Sequence, residues 1–209
     1  PYDAAHYGQK PLLSALIGIA HLKTLVETLK LGARARIELT CLWAPIGTTG
    51  PKSLYAQLFL HPSVLASAPV FDHPLGNYLA DATLKLRAHL PALQGALGLT
   101  AAEVELVLAH SGRTLDDALS LGNVSLLYRH ALLARALGLP VRELLVLREQ
   151  SGLDPFAAPS AQPLAQLADD LPFTQTLEFV RLAQEVRGSG FSVDQLDELL
   201  RHRFDAGGP

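Results

Sequence analysis

Hydrophobic residues recur at helical spacing along most of the chain, and they are densest between Ser120 and Phe156. From Val124 to Leu137 the apolar positions nearly encircle a helix instead of lining one stripe of it. A helix of that kind typically lies between two packed layers of the fold. We therefore expect Leu127 and Leu133 to point to opposite sides of the helix and both to be buried.

The few polar positions of this helix predict its solvent side. Ser125 and Arg129 fall together on a thin polar strip. Because surface substitutions generally change stability by no more than about 0.5 kcal/mol, we expect Arg129→Ala to cost far less than truncation of either core leucine.

An internal repeat supports a helical hairpin here. Leu97-Gly98-Leu99 aligns with Leu137-Gly138-Leu139 at an offset of 40 residues (138 minus 98), and Ser111-Gly112 then aligns with Ser151-Gly152. Glycine suits the left-handed residue that ends a helix. A weaker third copy begins at Ser192. Each copy predicts a helix after a glycine turn, but two good copies and one poor one fall short of a regular solenoid.

The same periodicity predicts an all-α fold of irregularly stacked helical hairpins, about eight helices in number, without a sheet. Leu and Ala dominate and aromatic residues are only 6%, which favours helices over strands. Eight expected helices lie at 11–31, from Ser53 onward, at 84–97 with a fresh start near Leu90-Pro91, and at 100–112, 120–137, 141–152, 173–187 and 192–203. Residues 36–43 are too few for periodicity to distinguish a short helix from a strand, and we favour a helix there. Capping boxes are expected at Thr100-x-x-Glu103 and Ser192-x-x-Gln195.

The first expected helix has a regular apolar stripe. Gly32 stands where a helix-ending glycine belongs, and Gly18 lies inside the helix, where close packing against a neighbour would explain it. The stripe consists of Leu12, Leu16, Ile19, Leu22 and Val26.

We expect residues 1–209 to form a single helical domain. A possible sub-boundary lies in the proline- and glycine-broken loop at 61–83, and a linker is expected at 154–163. The sequence contains no methionine at all, which indicates a fragment of a much larger protein.

Charge and cysteine content exclude several function classes. The net charge is -3 and the 17 basic residues are scattered, so no nucleic-acid partner is expected. One cysteine, Cys41, allows neither an internal disulfide framework nor a thiolate cluster. The chain shows no signal peptide and no apolar run of the roughly 18 residues that a transmembrane helix needs.

The segment from Gly47 to Ser53 imitates a phosphate-binding loop. In that motif a glycine precedes the lysine so that backbone amides can point at the phosphates, whereas Pro51 has no amide hydrogen to donate. The glycine spacing is also too short. We expect a loop that joins two helices, with Ser53 capping the second one.

No other constellation predicts chemistry. The eight histidines lack an HExxH pattern, Cys41 lies among apolar residues as a small buried side chain would, and Asp116-Asp117 and Asp169-Asp170 suit helix capping. Several histidines could change charge between pH 5 and 8 and bias an interface. The sequence therefore predicts no catalytic, cofactor-binding or metal-binding residue, no cofactor, and no enzymatic activity.

Four ordered motifs resemble the A component of bacterial insecticidal toxin complexes, the Tc toxins. They are Leu42-Trp43 with Ile46, Thr48, Gly50 and Ser53-Leu54-Tyr55 ahead of Leu58-Phe59; LSLGNVSLLYRHALLARALGL; Gly152-Leu153-Asp154-Pro155-Phe156; and GFSVDQLDELLRHRF. The likeness runs from about Lys10 to the C-terminus.

This resemblance implies a non-enzymatic part of the α-helical shell around a toxin channel. It implies a homopentamer, partners among the other domains and subunits of the same assembly, and a secreted or cell-surface location. The alternative is an independent α-solenoid-like adaptor that binds a partner protein in its groove. A contiguous exposed apolar groove would favour the adaptor, whereas an exposed apolar face near the chain ends would favour the shell.

Overall fold

A computed structural model of the chain describes residues 10–31, 38–158 and 173–204. Within these ranges the fold is all-α, as predicted, with nine α-helices and no β-strand. Lys85 and Ala118 form an isolated antiparallel bridge. The helices are α1 (Lys10–Thr28), α2 (Leu54–Phe59), α3 (Pro62–Ser67), α4 (Leu90–Leu97), α5 (Ala101–His110), α6 (Leu121–Leu137), α7 (Val141–Ser151), α8 (Thr174–Gly188) and α9 (Val193–Phe204), with short 3₁₀ helices at Leu39–Leu42, Pro69–Phe71 and Leu86–His89.

The chain divides into two compact units. Unit 1 comprises residues 1–36 and 146–209, and unit 2 comprises residues 37–145. Neither limit coincides with the expected sub-boundary at 61–83 or the expected linker at 154–163, of which 159–163 lie outside the described residues. The expectation of one helical domain stays a prediction.

Helix α6 is the centre of unit 2. Leu127 and Leu133 are 0% and 1% exposed, which confirms the expected burial of both. Helices α4 and α5 and the 3₁₀ helix at Leu39–Leu42 pack against α6. Side chains around nearly the whole circumference of α6 are therefore enclosed, as the dense apolar pattern predicted.

An aromatic cluster packs the segment at 61–83 against α2. The rings of Phe59 and Phe71 stack with centroids 4.7 Å apart, and those of Tyr55 and Tyr78 at 4.5 Å. The Tyr55 hydroxyl donates a 2.9 Å hydrogen bond to the Phe71 carbonyl, so its polar end is satisfied although the side chain is buried. The segment contains no long helix, as its prolines predicted.

The glycine repeat corresponds to real helix ends. Gly98 and Gly138 have φ values of 68° and 64°, and Gly112 and Gly152 both have φ of 66°. In this left-handed region a Cβ would be strained, so glycine is favoured there. The capping boxes are also present, since Thr100 and Ser192 exchange hydrogen bonds with the residues three positions later.

In unit 1, helix α1 packs on α8 through a face that the apolar stripe did not predict. The buried positions include Gly18, Leu25 and Leu29, whereas Leu16 and Ile19 are 54% and 62% exposed. The stripe prediction is therefore wrong for Leu16 and Ile19, whereas Leu22 and Val26 are half-buried. The side chain of Leu12 lies outside the described residues. Gln184 of α8 donates a 3.0 Å hydrogen bond to the Thr28 carbonyl.

Helix α1 is also shorter than predicted. It ends at Thr28 instead of Leu31, and Lys30 adopts the left-handed conformation with φ of 52°. The expected helix-ending Gly32 lies outside the described residues. Helix α4 begins at Leu90 with Pro91 in its first turn, as predicted, because proline is tolerated where no amide partner is needed.

Candidate functional site

The polar side chains of α6 bind neighbouring backbone, and this corrects the prediction of a solvent strip. Ser125 is buried: its hydroxyl accepts a 3.0 Å hydrogen bond from the Ile46 amide and donates one of 2.6 Å to the Leu121 carbonyl. A serine can be buried in this way because its hydroxyl both donates and accepts. Ser125 thus fixes the loop before α2 to the centre of unit 2.

Arg129 is likewise not an ordinary surface arginine. It is half-buried, and its Nε atom is enclosed by protein. The neighbouring 3₁₀ helix at Leu39–Leu42 covers α6, and the Arg129 charge acts on Cys41 within it. The small stability cost predicted for Arg129→Ala assumed a solvent-exposed side chain, and the structure shows a half-buried one.

Tyr128 and His130 are further buried residues of α6 with polar atoms. Burial is the largest cause that raises the pKa of Tyr128, followed by the nearby Glu38 carboxylate, with which the phenol is hydrogen-bonded. His130 is fully buried, and its Nδ1 lies 2.8 Å from the Leu126 carbonyl oxygen. These bonds satisfy polar atoms inside a core, which is a structural role.

The loop from Gly47 to Ser53 leads into α2. The Ser53 hydroxyl accepts a hydrogen bond from the Ala56 amide and so caps α2, as predicted. The Tyr55 amide donates to the Gly47 carbonyl at 3.1 Å, and the Ser53 amide donates to the Gly50 carbonyl at 3.0 Å. These are the hydrogen bonds of a helix-joining loop.

Cys41 is buried, and it is a free thiol. Burial is the largest cause of its raised pKa, which keeps the thiol protonated and unreactive at neutral pH. This matches the expectation of a small buried side chain.

The sequence favoured a capping role for the acidic pair at Asp116-Asp117. The pair does not cap α6. Ser120 is the cap of α6, whereas Asp117 accepts a 2.6 Å hydrogen bond from the Thr114 amide within a turn. Asp116 makes a two-pronged salt bridge with Arg87, at 2.8 and 3.0 Å, and this hydrogen bonding lowers the pKa of Asp116. Asp169-Asp170 lies outside the described residues.

Histidines and acidic residues are potential metal ligands. Across residues 10–31, 38–158 and 173–204, no three His, Cys, Asp or Glu side chains are placed to hold a metal ion. His61 and His73 instead accept hydrogen bonds from backbone amides two residues later in their own turns.

One feature of unit 1 was missed by the sequence analysis. Helices α7, α8 and α9 border an apolar groove of about 400 Å³, and Leu199 on its lining is 53% exposed. The sequence predicted an apolar face on each helix, but not that three faces would leave space between them. Among the described residues, the groove is lined by Leu147, Gln150, Ser151, Leu182, Val186, Leu196 and Leu199.

Comparison of the chain with protein-family models, curated proteins and solved structures finds no match. Among the described helices, none is by itself long and apolar enough to cross a bilayer, and the one consecutive pair that would suffice together, Leu86–Leu97 with Ala101–His110, is bent by 106°.

Proposed function

We propose that the chain is a non-enzymatic segment of the α-helical shell in the A component of a Tc-type toxin assembly, a secreted or cell-surface complex that binds host cells and delivers a toxic cargo. The observation that supports this most is the enclosure of α6, since Leu127 and Leu133 are both buried on a helix between packed neighbours. Its polar side chains hold backbone in place. The exposed Leu16 and Ile19 also suit a helix that another part of such an assembly covers.

An epitope tag tests this proposal in the whole toxin subunit that would contain the chain. Leu75 is 82% exposed beside Gly76, so a tag inserted there should leave the fold intact. Electron microscopy of antibody-labelled particles should show one label per subunit on the outer wall of a ring-shaped oligomer. A tagged protein that stays a single copy and carries label on no such wall would contradict the shell.

The second candidate is an α-solenoid-like adaptor. It is favoured by the apolar groove of unit 1, which is the feature expected of a protein that binds a partner helix. The adaptor predicts that a foreign protein, and not a toxin subunit, protects Leu199 from solvent.

A further inference from the structure

Residues 73–83, which we name the strap, are fastened on both sides and lightly held between them. Before the strap, Phe71 is fully buried and its ring stacks on that of Phe59. After the strap, the Leu84 carbonyl accepts a 2.7 Å hydrogen bond from the Leu119 amide. The two flanks of the strap therefore belong to the packed part of unit 2.

The backbone of the strap is not tied to any helix. Across the described part of the chain, its amides and carbonyls form hydrogen bonds only within the strap or to the residue that follows it. The His73 carbonyl accepts from the Gly76 amide at 2.9 Å, and His73 Nδ1 accepts from the Leu75 amide at 3.2 Å. Opening of the strap therefore breaks no backbone hydrogen bond between it and a helix.

Two side chains hold the strap against unit 2. Tyr78 is half-buried, and its ring stacks on the buried ring of Tyr55 with centroids 4.5 Å apart. Of the described residues in the strap, Leu79 alone is buried, at 7% exposure, whereas Leu75 is 82% exposed. The closed position of the strap therefore depends mainly on one leucine and one tyrosine.

The backbone conformation of Leu79 weakens this hold. Its φ is 55°, in the left-handed region, where a residue with a Cβ is strained. Such strain persists only where the surrounding contacts offset it. Because the strain is released when the leucine leaves its site, it favours the open strap.

We propose that the strap opens by itself while the rest of unit 2 stays folded, with Leu79 as its latch, and that the open strap is a proteolytic nicking site. A segment with few buried side chains and no hydrogen bonds to its neighbours opens at a much smaller free energy than the whole fold. The enzyme that fits is an endoprotease that cleaves after large apolar residues, because Leu75 is exposed beside Gly76. The inference concerns unit 2 alone and depends on neither of the two proposed functions.

The covalent step is hydrolysis of the peptide bond between Leu75 and Gly76. The bond from the Leu75 carbonyl carbon to the Gly76 nitrogen breaks, and one water molecule is consumed. Its hydroxyl goes to the carbon, which becomes a carboxyl group, and its remaining proton goes to the nitrogen, which becomes an amine. Because both flanks are fastened, the two sides of the cut should remain together in one folded unit.

Limited proteolysis of the full chain with chymotrypsin tests the latch, with mass spectrometry measuring the rate of cutting within residues 73–83. When opening and closing are fast, cleavage follows the population of the open state. Leu79→Ala keeps the strained backbone and removes most of the buried side chain, so it should accelerate cutting by about 10-fold. Leu79→Gly also removes the strain of the closed state, so its cutting should be about 5-fold slower than that of Leu79→Ala. Equal rates in the native chain and Leu79→Ala would overturn the proposal.

A core variant separates opening of the strap from unfolding of the whole unit. Leu133→Ala destabilises the core around α6 without touching the strap, so it should leave the rate of cutting within 73–83 unchanged. Acceleration by Leu133→Ala as large as that by Leu79→Ala would show that the protease attacks the globally unfolded chain. If Leu79→Ala fails to fold by circular dichroism, Tyr78→Ala takes its place, and loss of the ring stack should accelerate cutting by about 3-fold.

The state of the nicked chain completes the test. After the cut, the two sides should elute together in size-exclusion chromatography, keep the helical circular dichroism signal, and separate only in denaturant. Pieces that separate without denaturant, or cutting that begins within α6 before the strap is cut, would overturn the proposal.

Discussion

Helices α6 and α9 have the same kind of N-terminal cap but differ in how far their side chains are buried. The hydroxyls of Ser120 and Ser192 each accept a hydrogen bond from the amide three residues later, at 3.2 and 3.1 Å. Yet α6 is buried around nearly its whole circumference, whereas α9 leaves Leu199 on an open groove. The cap decides where a helix starts, and the width of the apolar face decides whether the helix becomes interior or keeps a surface for binding.

The largest expected effect comes from truncating the two sides of α6. Leu127→Ala and Leu133→Ala should each lower the free energy of unfolding by about 2 to 5 kcal/mol, because each leaves a cavity in a packed core. Leu199→Ala serves as the control on α9 and should cost less than about 1 kcal/mol, since that side chain already contacts water. Chemical denaturation measures all three, and a nearly neutral result for one α6 leucine would reduce α6 to a one-sided surface helix.

A smaller effect is expected at Ser125. Ser125→Ala removes the acceptor of the buried Ile46 amide, and an unpaired buried donor costs about 1 to 3 kcal/mol. The matched control is Ser67→Ala, whose hydroxyl donates to the Val64 carbonyl at an exposed site and should change stability by no more than about 0.5 kcal/mol. Equal costs in denaturant titration would mean that the hydrogen bond to Ile46 does not hold the loop.

The two caps should be nearly equal in energy. Ser120→Ala and Ser192→Ala each remove one side-chain acceptor at a helix start, which typically costs about 1 kcal/mol. Similar shifts in the two denaturation midpoints would support the view that capping is local and that only the packing differs. A cap at Ser120 that costs several times more than the one at Ser192 would show that burial and capping are coupled.

The last prediction is that added nucleotide has no effect on the melting temperature. The loop from Gly47 to Ser53 uses its polar groups to join helices, so ATP or GTP with magnesium should leave the melting temperature unchanged. A ligand at 100 times its dissociation constant would stabilise the fold by about 2.7 kcal/mol, which differential scanning fluorimetry would detect as a raised melting temperature. Such a rise would make this loop a phosphate site after all.

Sequence reasoning succeeded where the physics is local. The left-handed glycines at Gly98 and Gly138, the capping boxes, the start of α4 at Leu90-Pro91 and the burial of Leu127 and Leu133 all follow from short-range rules. Each depends only on residues within about two helical turns.

The failures occurred where a distant partner decides the outcome. Ser125 is buried because the amide of Ile46, 79 residues away in sequence, needs an acceptor. Asp116 binds Arg87 instead of capping a helix, and the face that α1 buries depends on α8. The groove is the same kind of case, since it exists only in the relative placement of α7, α8 and α9.

Native-state hydrogen exchange most directly tests the central claim, which is that α6 is enclosed on nearly all sides whereas α9 is partly exposed. Amides exchange according to the free energy of the opening that exposes them, and an enclosed helix opens only when its whole unit unfolds. We predict that peptides covering Leu121–Leu137 exchange most slowly in the chain and that peptides covering Val193–Phe204 exchange through smaller, local openings. Equal protection of the two helices, or faster exchange in α6, would contradict the account.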